Sequence, residues 1–417
     1  MSETAAESRA PKTAPKRALF FIMAVIFLDT VGFGIIAPVL PQLIADLNGS
    51  GISDAARIGG WLMVSYALVQ FIFAPIIGNL SDRFGRRPVL LFSLLAFGID
   101  YIFMGFAPTL MWLFVGRIIA GIAGGSYVTA NAYIADISDD EVKARNFGYI
   151  GAAWGLGFIV GPMIGGILGG ELGVRAPFFA AAGLVFATLI FGFFALPESL
   201  PPKDRRAFSW GRANTFGALL QIRHYPIVVG LLVAMFFYMI AHDANPSIWS
   251  FYTIEKFDWS PQMIGYSLGV VGICSIIINA GLVGPAVKYF GEAKTALLGL
   301  ALAATGFFIA GTAVNGTVMM LAIFPICMMG LAGPALRAIM SNAVPENAQG
   351  ELQGATAAMM SLTMIIAPFI MTQLFAFYTG PDAPFYFPGV SYVLAAALMV
   401  VAFALCAALF RRVRAAA

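Results

Sequence analysis

The sequence predicts an all-α integral membrane protein, with twelve transmembrane helices arranged as two six-helix halves in parallel repeat. Three observations predict it. The 417 residues are 60% hydrophobic and only 11% charged, against about a quarter charged in soluble proteins. Apolar runs such as 18–39, 61–80 and 219–241 approach the roughly 20 residues needed to cross a bilayer. An offset of 206 residues then lands repeatedly on like residues. Gly78 and Gly85 map to Gly284 and Gly291, Gly148 to Gly354, and Pro162 to Pro368. An even number of spans in each half makes both halves face the same way, an arrangement used by transporters.

The chain opens with a polar tail, 1–17, rich in Ala, Pro and Lys, whose composition predicts disorder. The following apolar run contains Asp29 and lacks a small-residue cleavage site, so it reads as a retained first span. Eleven more spans centre near residues 69, 98, 120, 157, 186, 238, 271, 303, 328, 364 and 398. The longest polar break, 197–225, begins "PESLPPKDRR" and serves as the linker between a first half, 18–196, and a second, 226–417. Of the 24 Lys and Arg residues, all but Arg57, Arg117, Arg175 and Lys256 fall in the tails or in alternate breaks on one side. The positive-inside rule places that side, and both termini, in the cytoplasm.

Chemistry starts with charge inside the bilayer. An ionisable side chain at the membrane centre costs about 2.5–3.5 kcal/mol on insertion scales, so Asp29, Asp100 and Arg117 demand a role. Asp100 lies about twelve residues into span 3 and Arg117 a similar height up span 4, which predicts equal depth at 1.5 Å per residue. The plain alternative is a self-satisfied buried ion pair. Two acids against one arginine, however, leave one carboxylate short of a partner and open to titration. Asp29 is the expected proton carrier, Arg117 tunes it, and Asp100 is the second candidate.

Mid-span polar groups Gln70, Asn131, Asn279 and Gln373 are candidate substrate contacts or interhelical hydrogen bonders. In "IAHDANPSIW", Pro246 is expected to break span 7. His242, Asp243 and Asn245 then line a cavity on an unwound segment, or sit in the outer interface at little cost. The break "GNLSDRFGRRPVLL" (78–91) packs Asp82, Arg83, Arg86 and Arg87 between glycines 78 and 85. Its arginines suit topology and its glycines a close approach and a tight turn. Pro88 suits the first turn of the next helix.

"GNLSDRFGRRP" resembles the loop 2–3 signature of the major facilitator superfamily, G-x-x-x-D-R-x-G-R-R. "GRIIAGIAGG" (116–125) is similar to the family's Arg-bearing fourth span, and "GLGFIVGPMIGG" (155–166) to its fifth-span antiporter motif. "LDTVGFGIIAPVLPQL" (28–43), "YALVQFIFAP" (66–75) and "GPALRAIMSNAVPENAQGELQG" (333–354) resemble drug/proton antiporters, the tetracycline exporters above all.

The resemblance implies the major facilitator fold and export of small amphipathic or drug-like molecules against protons by alternating access. It implies a cytoplasmic latch, in which Asp82 faces the start of span 11 and Arg86 meets Asp136. It implies a bend at Gly157, Gly161, Pro162, Gly165 and Gly166. The partners expected are a small-molecule substrate, protons and the lipid bilayer, with no nucleic acid, and the protein is expected to be a monomer in a bacterial inner membrane. Tetracycline exporters carry an acid in the ninth span and a histidine in the eighth. The corresponding stretches here, 297–306 and 269–281, have neither.

Proton-coupled uptake of a small nutrient such as a sugar or organic acid is the nearest alternative, and an uncoupled facilitator or channel the next. No cofactor beyond the coupled proton and no metal is expected. Cys274, Cys327 and Cys406 lie far apart inside apolar runs. The sequence has no zinc-protease, Cys/His-cluster, nucleophile–base or phosphate-loop pattern, so neither an enzyme nor an ATP-driven pump is expected.

Overall fold

The computed structural model describes residues 16–124, 126–138, 140–208, 224–345 and 348–416. The tail 1–15 and most of the 197–225 linker lie outside them. Eleven of the described helices are long and apolar enough to cross a membrane. The longest, Pro261–Thr312, has 52 residues, about 78 Å at 1.5 Å per residue, far more than the roughly 30 Å of a bilayer's hydrocarbon core. It turns back at Gly291, whose φ of 75° and ψ of 163° are non-helical, and so makes two crossings.

The spans are therefore span 1 (Lys16–Ile36), span 2 (Ile52–Phe84), span 3 (Arg86–Phe106), span 4 (Leu110–Ile137), span 5 (Asp140–Leu172) and span 6 (Ala176–Ala195). Span 7 (Pro226–Phe257) follows, then spans 8 and 9 on either side of Gly291, span 10 (Gly316–Asn342), span 11 (Gln349–Thr379) and span 12 (Val390–Ala416). Span 1 begins two residues earlier than hydropathy suggests. The end of the bundle holding Lys16 and the last residues of span 12 is called here the terminal face, and the other the opposite face.

Helix ends follow local chemistry. Pro41, Pro177, Pro226 and Pro261 stand in first turns, where a missing N–H costs nothing. Asn315 accepts from the Val318 amide at 3.0 Å, capping span 10. The repeat is written into the backbone at its sharpest turns. Gly85, between spans 2 and 3, has φ 105° and ψ 160°, and its 206-residue counterpart Gly291 adopts nearly the same conformation. L-side chains rarely enter that region.

Spans 1, 3, 5 and 6 pack together, as do 2, 3 and 4; spans 7, 9, 10 and 12 pack likewise in the second half. The halves meet mainly through span 5 on span 8 and span 2 on span 11, two crossings that exchange when each span is moved six along the chain. Both crossings lie toward the opposite face. There Ser53 Oγ donates to the Ala376 carbonyl at 2.9 Å and Thr379 Oγ1 to Ser53 Oγ at 3.0 Å. Trp61 meets Phe369 edge-on at 4.9 Å. Toward the terminal face, by contrast, a Cβ built on Gly148, Gly151, Gly281, Gly284 or Gly350 would meet nothing within 4 Å among the described residues. The bundle is closed at the opposite face and open at the terminal face.

Span 7 departs from expectation. It is not unwound at Pro246: the helix stops at His242 and restarts at Ala244, with Asp243 alone between them at φ −74° and ψ −4°. Pro246 falls in the first turn of the restarted helix, where its ring is tolerated. The result is a kink, with the Ser247 amide already bonded to the Asp243 carbonyl at 3.2 Å.

Candidate functional site

The charged centre sits in the first half. Arg117, on span 4, donates through Nη2 to Asp100 Oδ2 on span 3, and the same nitrogen lies 2.9 Å from the Met104 sulfur. Asp100 is wholly buried and the Arg117 side chain is 13% exposed. Equal depth, counted by helical rise, is what brings them together. Gly116 makes room, since a Cβ there would come within 2.5 Å of Asp100 Oδ1. That oxygen, and Arg117 Nε, have no hydrogen-bond partner among the described residues, a costly state for buried polar atoms.

Two tyrosines tie in the third charge. The Arg117 guanidinium lies over the Tyr66 ring at 5.7 Å, and Asp29, Asp100 and Arg117 all act electrostatically on Tyr66 and Tyr101. Asp29 itself is half-buried. Gly32, one turn beyond it on span 1, abuts the Tyr101 hydroxyl, which a Cβ would approach to 2.6 Å. The structure thus gathers Asp29, Asp100 and Arg117 into one cluster on spans 1, 3 and 4. Tyr66 and Tyr101 belong to it and were missed from sequence, although Tyr101 adjoins Asp100 and Tyr66 opens the quoted span 2 stretch.

The fifth-span glycines connect this cluster to the closed end. Gly157, Gly161 and Gly165, spaced by four, put one face of span 5 against the backbone of span 1 at Phe27, Val31 and Ile35. These are the turns that carry Asp29. Pro162 lies inside the span 5 helix and packs on Gly34. On its other face span 5 meets span 8, where Gly166 lies against Pro261 and Gly265 and a Cβ on Gly265 would come 2.5 Å from the Pro162 carbonyl. Span 5 therefore touches both the Asp29 helix and the seal between the halves.

The other candidates separate. Gln70 Nε2 donates to the Gly124 carbonyl at 3.1 Å, satisfying a group released where the helix Leu110–Ala123 ends inside span 4. Gln373 does not line a cavity; its Nε2 donates across the halves to the Arg57 carbonyl at 3.0 Å, as part of the seal. Asn245 is buried, with Oδ1 lacking a hydrogen-bond partner among the described residues, and Asn131 is half-buried. His242 Nδ1 pairs with Asp243 Oδ1 at 3.1 Å, and the side chains are 49% and 20% exposed. Asn279 is exposed within a π-helical turn, Ile277–Leu282, and bonds back to the Ser275 carbonyl at 2.8 Å. That turn packs on a 3₁₀ turn in span 10, Met328–Leu331. Local irregularities of this kind often mark functional positions.

At the terminal face Arg86 is the hub of the 78–91 turn. Its Nε reaches Asp136 Oδ2 at 3.1 Å, and its Nη1 reaches Asp82 Oδ1 and Ser81 Oγ, each at 2.6 Å. Among the described residues Asp82 thus pairs within its own half and not with the start of span 11, because the terminal face is open. Arg87 donates to the Phe193 carbonyl at 2.5 Å, and Arg83 is exposed over the Phe84 ring. Gly78 allows no unusually close approach, its nearest neighbour being Val128 at 3.7 Å from a built Cβ. The linker joins this turn in a way the sequence did not reveal. Glu198 accepts from the Arg86 amide at 2.8 Å, and Ser199 Oγ donates to Asp136 at 3.1 Å.

The family model of the Major Facilitator Superfamily matches residues 22–284 and 244–415. The chain is 39% identical to the class C tetracycline resistance protein of Escherichia coli, over 92% of this chain and 95% of that one. It is 28% identical to multidrug resistance protein 2 of Bacillus subtilis, over 93% and 95% of the two chains. A solved nucleoside transporter superposes with a TM-score of 0.75 at 14% identity, covering 94% of this chain and all of that one.

Proposed function

The chain belongs to the Major Facilitator Superfamily, and on that premise we propose that it exports small amphipathic, drug-like molecules in exchange for protons. It is a multi-pass membrane protein and a secondary active transporter, working by alternating access between two six-helix halves. The observation that carries the coupling is the Asp29–Asp100–Arg117 cluster, placed on helices that span 5 links to the seal between the halves. Asp29 exchanges the proton, Arg117, paired with Asp100, tunes it, and Asp100 is the secondary carrier.

The Lys and Arg bias puts the terminal face in the cytoplasm of a bacterial inner-membrane protein, which makes this the substrate-loading state. When the cytoplasmic side shuts, Asp82 leaves Arg86 for the start of span 11, whose backbone amides favour a negative charge. The Arg86–Asp136 pair stays as the pivot. The names of the relatives, tetracycline and multidrug resistance proteins, support amphipathic drugs as substrates. The protein acts as a monomer, with the proton as its only co-substrate.

The test is flux in proteoliposomes under an imposed pH gradient, with tetracycline, the lipophilic cation ethidium and a sugar as solutes. Uphill movement of the amphipathic compounds opposite to proton flow, with the sugar left behind, is expected. Solute movement in the same direction as protons would replace antiport with symport. Equilibration indifferent to the gradient would make the protein a facilitator.

A further inference from the structure

The two halves differ in the charge they carry at mid-depth. The 206-residue offset takes Asp29, Asp100 and Arg117 to Met235, Gly306 and Ile323, so nothing of the coupling cluster is repeated. The second half has another set instead. Arg337 lies within span 10, five residues or about 8 Å short of its end. It is exposed, with no hydrogen bond or ion pair among the described residues. Read from sequence as one more cytoplasmic anchor, it proves to sit on the helix.

Its direction is set by Gly333, one turn earlier on the same face. Gly333 receives the hydroxyl of Tyr238, 3.1 Å from a built Cβ, and that hydroxyl donates to the Met329 carbonyl at 3.3 Å. Tyr238 thus joins span 7 to span 10, and the charges of both Arg337 and Asp243 reach it. On span 7 the outward face is marked by Val233, which is 45% exposed. His242, nine residues on, is about 180° around the helix from it at 100° per residue. It shares the face of Tyr238, one turn earlier, and the two rings lie 6.3 Å apart. Because the spans are antiparallel, Arg337 lies about 6 Å from the Tyr238 level toward the open terminal face, and Asp243 about 7.5 Å beyond it toward the seal. A guanidinium is tolerated at such a depth when it borders water, and here it is paired with no carboxylate among the described residues.

We propose that Arg337, with Tyr238 beside it, is the site where the second half binds an acidic oxygen group of the exported molecule. The class is a carboxylate, enolate or phenolate on an amphipathic body. The inference rests on the chain being an exporter and divides the labour: the first half handles the proton, and the second reads the charge of the substrate. A guanidinium and an oxyanion form a charge-assisted, geometrically selective pair.

Binding to the full-length protein in nanodiscs, followed by tryptophan fluorescence, tests it. The probes are tetracycline, which carries acidic enol and phenol groups, and ethidium, which carries none. Arg337→Gln is expected to weaken tetracycline binding at least about tenfold and leave ethidium binding unchanged, while Arg337→Lys, which keeps the charge but not the planar fork, recovers only part of the loss. Equal weakening of both probes, an unchanged affinity for tetracycline, or a wild type that binds no acid-bearing probe would each overturn the assignment. Gradient-driven ethidium flux by Arg337→Gln separates this site from the export reading. If that flux persists while tetracycline binding is intact in the variant, only the Arg337 site falls. If the wild type binds tetracycline through Arg337 yet moves nothing with the gradient, only the export reading falls.

Discussion

Arg117→Ala is expected to destabilise the protein by about 3–5 kcal/mol, the usual cost of removing one partner from a buried ion pair. Asp100 is wholly buried and Arg117 nearly so, so water does not take the place of the guanidinium. The remaining escape is for Asp100 to take up a proton, and that removes a charge the cycle needs. The variant should unfold at a lower temperature in detergent and lose gradient-driven flux together. Adding Asp100→Asn to Arg117→Ala is expected to return most of the stability without the flux, since neither buried charge is then left alone. If the double variant is as unstable as the single, the loss reflects packing of the arginine stem against Met104 and Tyr66 and not its charge.

The second large effect is expected at the seal. A leucine at Gly265 has no room where a Cβ alone would come 2.5 Å from the Pro162 carbonyl and 3.1 Å from the Gly166 Cα. Backbone cannot yield as a flexible side chain can, so the substitution forces spans 5 and 8 apart at the opposite face. Gly265→Leu should cut transport by more than tenfold, about the effect of 1.4 kcal/mol or more on the conformational balance. It should also expose the seal. With Cys274, Cys327 and Cys406 replaced by Ala, a Ser53→Cys reporter is expected to react slowly with an impermeant maleimide from the opposite face. In the Gly265→Leu background it should react much faster. Equal rates in both backgrounds would mean that this contact does not hold the closed state.

Much of this architecture was legible because the bilayer simplifies the problem. Span length, basic residues on one side and the 206-residue repeat follow from hydrophobic thickness and charge cost, and Gly85 and Gly291 show the repeat again in their shared backbone conformation. The Asp100–Arg117 contact was legible for a similar reason, as helical rise fixes depth. What sequence could not supply was direction around a helix. Gln70 and Gln373 read alike as mid-span amides, yet one satisfies the Gly124 carbonyl and the other stitches the halves together at Arg57. Arg337 read as a loop cation because span 10 continues further than its hydropathy suggests.

Local backbone events were equally hidden. Pro246 read as a break, but the preceding turn at Asp243 puts it where proline costs little. The π-helical turn at Ile277–Leu282 has no proline or charge to announce it. The bond between Glu198 and the Arg86 amide joins residues 112 apart in sequence, and nothing in "PESLPPKDRR" alone points to it.

The central claim is that proton exchange runs through Asp29 in the first half. It is tested most directly by recording lumenal pH in proteoliposomes on adding a transported amphipathic compound, for the wild type and Asp29→Asn. The wild type is expected to move protons opposite to the compound, in proportion to the amount carried. Asp29→Asn should bind the compound and remain folded, yet move no protons with it. Undiminished, substrate-dependent proton movement by Asp29→Asn would contradict the account and transfer the carrier role to another group, Asp100 first.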